Sequence, residues 1–91
     1  MSRVVCVDGT RLSDRQSCSL YMREMFDLPA HASRDLDSLE KMLVEDTSDT
    51  QLWLTRKCIS TICASGYGYE VLMMLGRVCD KNPHMKIVFT K

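Results

Sequence analysis

Ninety-one residues, 45% hydrophobic and 26% charged, suffice for one small domain with a single core. Twelve basic residues balance twelve acidic ones, so no global charge points to nucleic acid or a membrane surface. No apolar run approaches the ~20 residues that span a bilayer, and five cysteines without a CxxC pair suit neither a disulfide framework nor a zinc site.

Along the chain, RVVCV (3–7) is rich in β-branched residues and ends at Asp8-Gly9, as a buried strand would. Ser13 with Gln16 three residues on has the form of a capping box, and the helix behind it carries Cys18, Tyr21, Met22, Met25 and Phe26 at helical spacing. Asp27-Leu28-Pro29 stops that helix, because a residue before proline is pushed out of the helical region. SRDLDSLEKML (33–43) places Leu36, Leu39 and Leu43 at i, i+3 and i+7 with Met42 beside them, the stripe of a second helix that ends in the polar EDTSDT. QLWL (51–54) is a second short strand, followed by a short helix through Ile59, Ile62 and Cys63. Ala64-Ser-Gly-Tyr-Gly68 reads as the turn into a clearer helix with Val71, Leu72, Leu75, Val78 and Cys79 on one side. Asn82-Pro83 ends that helix, and MKIVFT (85–90) is the last strand. Strands joined by helical crossovers lie parallel, so the expected domain, spanning residues 1–91, is α/β.

Charge is uneven along this frame. Residues 35 to 49 hold Asp35, Asp37, Glu40, Glu45, Asp46 and Asp49 against Lys41 alone, whereas the chain from Arg77 onward leans basic with Lys81, Lys86 and Lys91. Asp35, Asp37 and Glu40 lie off the leucine stripe and face solvent or a partner. A carboxylate in a first helical turn also has a purely local use, capping free N–H groups at the positive end of the helix dipole.

Motifs for catalysis are lacking. Gly66-Tyr-Gly68 is neither GxGxxG nor GxxxxGK. Cys58 or Cys63 with His31 has no third orienting residue, and carboxylates on a convex helix have no cleft to work in. No catalytic residue, cofactor or metal ligand is assigned. The cysteines read as small buried hydrophobes in a reducing compartment, and MSRVVCVDG is too short for the core of a signal peptide, so the expected location is the cytoplasm.

The segment LPAHASRDLDSLEKML (28–43) resembles the barstar family of small intracellular ribonuclease inhibitors. That family has a Leu-Pro pair, a tyrosine-containing loop and an Asn/Asp-Leu-Asp-x-Leu helix start. Here these are Leu28-Pro29, the loop through His31, and Asp35-Leu36-Asp37-Ser38-Leu39, with the strand into Asp8-Gly9, QLWL and KIVFT following in family order. The resemblance implies a barstar-like, three-stranded parallel sheet packed with about four helices. It also implies a function, in which the acidic second helix and its preceding loop block the basic active site of a ribonuclease or ribonuclease toxin domain as a monomeric immunity protein. Carried over by position, the partner-binding residues are His31, Asp35, Leu36 and Asp37, extended by Glu40, Lys41, Glu45 and Asp46. Glu40 replaces the family's tryptophan, Lys41 its principal aspartate, and Arg77 and Lys81 fall on acidic positions of the late helix. A lysine aimed at a positive cleft repels it, so a binding module with another kind of protein partner is the alternative.

Overall fold

A computed structural model describes residues 3–29, 31 and 35–91. The elements are β1 (Arg3–Cys6), a 3-10 turn (Gly9–Leu12), α1 (Arg15–Phe26), α2 (Leu36–Glu45), β2 (Thr50–Thr55), α3 (Arg56–Cys63), α4 (Gly66–Lys81) and β3 (Met85–Thr90). The strands form one parallel sheet in the order β1-β2-β3, with Val5 opposite Leu52 and Leu52 opposite Ile87. The domain is thus an α/β fold with a three-stranded parallel sheet and four helices, as the element order predicts. No helix among the described residues is long and apolar enough to cross a membrane.

Strands that neighbour in sequence order and are joined by right-handed crossovers place their helices on one face of the sheet. Burial follows that rule: Thr50, Leu52 and Leu54 are buried beneath the helices, whereas Val4 and Trp53 on the opposite face are exposed. RVVCV is therefore an edge strand with one bare face rather than a buried strand. The core is built from Leu12, Met22, Leu39, Leu43, Ile62, Met74 and Leu75, all at most 2% exposed, together with the inward strand residues.

Three local expectations are corrected. The N-cap of α1 is Asp14, not Ser13: its carboxylate accepts from the Ser17 N–H at 2.9 Å, and an ionised acceptor makes the stronger cap. Ser13 has helical backbone angles and its hydroxyl donates to the Thr10 carbonyl, closing the 3-10 turn that the sequence pattern did not announce. Gly66-Tyr-Gly68 is the first turn of α4 rather than a loop, with Ser65 as N-cap. Gly68 is needed for closeness, since a Cβ there would lie 2.3 Å from the backbone oxygen of Ile62. Only some of the cysteines are buried: Cys18 and Cys58 are, Cys79 is half-buried, and Cys6 and Cys63 are exposed.

Candidate partner-binding surface

α2 is capped by Asp35, whose carboxylate accepts from the Ser38 N–H at 2.7 Å, so the local use of this acid is realised in full. Leu39 and Leu43 bury the stripe, and Leu36 and Val44 are half-buried along the line where α2 lies beside α4. α4 buries Val71, Met74, Leu75 and Val78, and this leaves Tyr69, Glu70, Met73, Arg77 and Lys81 on its outer side. The seam between these two helices is where the predicted acids gather.

At its C-terminal end the seam is closed by the protein's own groups. Arg77 donates to Glu40 through Nη2 at 2.9 Å and Nε at 3.2 Å, and Lys81 Nζ lies 3.8 Å from the same carboxylate. The bond from Arg77 holds the Glu40 carboxyl below its ordinary pKa and pushes the guanidinium up. Asn82 is 2% exposed, and its Nδ2 donates to the carbonyl of Leu43 at 2.8 Å, which also accepts from the Asp46 N–H, and to the carbonyl of Asp46 at 2.7 Å. Asp46 itself faces inward: it pairs with Arg3 at 3.2 Å and accepts from the Ser48 N–H. The guanidinium of Arg3 also donates to Thr50 and lies over the Phe26 ring, 5.2 Å from its centroid.

The N-terminal end is open. A groove of about 490 Å³ runs between the helices, lined by Asp35, Leu36, Asp37, Tyr69, Glu70, Met73 and Arg77. Its apolar residues are unusually bare: Tyr69 is 51% and Met73 41% exposed. A smaller hollow of about 320 Å³ adjoins it, where Asp37 meets Lys41, Val44, Glu45 and Lys81. Asp37, Lys41, Glu45 and Glu70 make no hydrogen bond or ion pair among the described residues. Spaced four apart, Asp37, Lys41 and Glu45 form one exposed ridge of alternating sign along α2.

Of the eight expected contact positions, the structure thus brings Asp35, Leu36 and Asp37 together in one groove and Lys41 and Glu45 in the hollow beside it. Glu40 also lines that hollow but is held by α4, and Asp46 is held by β1. His31 is exposed; its neighbours 30 and 32–34, which complete the loop before α2, lie outside the described residues. Sequence reading missed Tyr69, Glu70 and Met73. The signal was available: an aromatic and a methionine stand on the outward side of an amphipathic helix whose inward stripe was already complete.

No protein-family model matches this chain, and no curated protein matches it by sequence. The surface is therefore argued from its own chemistry. Among the cysteines, the Cys58 thiol is raised by burial and donates to the Val7 carbonyl at 3.2 Å, which favours the unreactive protonated form.

Proposed function

We propose that this protein binds and blocks a ribonuclease, presenting the exposed side of α2 and its N-terminal groove to the basic active site of that enzyme. The observation that carries the reading is the acid-rimmed groove in which Asp35 and Asp37 stand opposite Glu70 above an exposed apolar floor. Carboxylates displayed along the exposed side of α2 mimic RNA phosphates in a cleft built to receive them, while Tyr69 and Met73 supply the dry contact that slows dissociation. The resemblance of residues 28–43 to the barstar family supports the same reading. The protein acts by binding and not by catalysis, in a reducing cytoplasm where the exposed thiols of Cys6 and Cys63 stay free.

A second reading, a binding module for a partner other than a nuclease, is favoured by Lys41, an exposed cation in the middle of the acidic ridge. Affinity capture by the tagged protein at low salt, followed by nuclease assay of what is retained, separates the two. A basic ribonuclease silenced in the complex and released by salt is the expected result. A retained partner without nuclease activity would discard the inhibitor reading. In the captured complex Asp37→Ala should weaken binding by ~2–5 kcal/mol if Asp37 meets a buried cation.

A further inference from the structure

We infer that the outer edge of β3 joins the same edge of a second copy of this chain, antiparallel across a two-fold axis at Val88, to form one six-stranded sheet. The inference does not rest on the inhibitor reading, and it departs from the monomer that the family resemblance implies.

The hydrogen-bond ladder decides which backbone groups are free. β3 is an edge strand, with β2 on one side only. The Thr50 N–H donates to the His84 carbonyl at 2.8 Å. Residues of a parallel strand turn their N–H and C=O groups to either side in alternation, so this one bond sets the phase. The groups of Lys86, Val88 and Thr90 turn toward β2. Those of Ile87 and Phe89 turn outward, where the described residues offer no partner. The edge also lacks most of the devices that blunt such edges. Its register with β2 is unbroken from Met85 to Thr90, it holds no proline, and Lys86 is its one charged residue.

The occupant follows from self-complementarity. Centred on Val88, an antiparallel copy sets Ile87 opposite Phe89 on both sides of the axis. The N–H and C=O groups of both residues then pair with none left over. The same pairing covers Phe89, which aligns with Leu54 on the helix-bearing face of the sheet yet is 70% exposed. An aromatic ring opposite a β-branched side chain is a favourable cross-strand pair. Lys86 falls opposite Thr90, and the two copies of Lys86 stand about 14 Å apart along the strands, so like charges are not opposed. Centring on Ile87 instead would set Phe89 against Met85, which is already buried and whose N–H already donates to Asn82. The other edge, β1, is four residues long, and Val5 on its helix-bearing side is already half-buried.

Sedimentation velocity of the full chain from about 10 μM to about 1 mM, a range suited to small interfaces, should show monomer giving way to dimer. Amide exchange over the same range should slow at Ile87 and Phe89, whereas Lys86, Val88 and Thr90 should be slow throughout. Phe89→Lys should keep the chain monomeric at the highest concentration; the site is exposed, and circular dichroism checks that the fold is kept. With the exposed Cys6 and Cys63 replaced by serine, Val88→Cys should link to itself on mild oxidation, because opposed residues of a non-hydrogen-bonded pair bring their Cβ atoms within about 5 Å. Lys86→Cys in the same background should not. A purely monomeric chain at the highest concentration would overturn the inference. So would a dimer that survives Phe89→Lys, one that slows the amides of Val4 and Cys6 instead, or growth beyond the dimer. None of these outcomes bears on capture of a nuclease, so this inference and the inhibitor reading fail separately.

Discussion

The two ends of the α2–α4 seam are built from the same residue types and put to opposite uses. At the C-terminal end every acid on the seam except Glu45 meets a cation or amide of the same chain: Glu40 meets Arg77 and Lys81, and Asp46 meets Arg3. At the N-terminal end, acid faces acid, with Asp37 on α2 and Glu70 on α4 across a groove floored by Tyr69 and Met73. The difference lies in what the neighbouring helix offers at each level: glutamate and methionine at the open end, arginine and lysine one to two turns later. A dense run of acids in a sequence therefore does not measure the charge a partner meets. That quantity is decided by the cations a neighbouring element places within reach.

The comparison is open to attack at four points. Leu39 lies beneath both ends and is 2% exposed, so Leu39→Ala should cost ~2–5 kcal/mol in denaturant unfolding. An unchanged midpoint would show that the seam does not rest on the core at all. Asn82→Ala should cost about 1–3 kcal/mol by leaving the Asp46 carbonyl without its donor, while the Leu43 carbonyl keeps the Asp46 N–H. Its effect should be confined to the closed end, read as faster amide exchange in the last turn of α2; equal acceleration near Asp35 would mean the ends are not independent. Asp35→Ala removes the N-cap bond to Ser38 and should cost ~1 kcal/mol, whereas Asp37→Ala, which loses only its place near the positive end of the helix dipole, should cost less, about 0.3–0.5 kcal/mol. The smallest effect concerns pH. The folded-state value of Glu40 is depressed, so the stability it adds is complete above the ordinary glutamate value of about 4.3 and is lost as pH falls through the folded value beneath it. Glu40→Gln should thus melt below the parent protein at neutral pH, and the two curves should converge on acidification; a gap that persists at low pH would remove Arg77 and Lys81 from the account.

Much of this architecture is legible in the chain. The leucine spacing of residues 36 to 43 identifies both the helix and its buried side, because a 3.6-residue period can serve only one face. The strand–helix–helix alternation yields the parallel sheet, because parallel neighbours need a crossover. The helix joints were harder to read. Asp14 and Ser13 are adjacent capping residues, and only the 3-10 turn that consumes Ser13 decides between them. The glycines of Gly66-Tyr-Gly68 suggest a turn, yet Gly68 answers to a carbonyl six residues earlier in the chain.

By itself the sequence determined the leucine stripe of α2, the alternation of strands and helices and where the acids concentrate, since periodicity, capping and composition act over a few neighbouring residues. Only the tertiary structure decided which of those acids remain available. Arg77 and Glu40 are thirty-seven residues apart and meet because α2 and α4 pack side by side. Charge acts through space and falls off over a few ångströms of solvent, so whether a carboxylate is spent or offered depends on contacts that no local pattern contains.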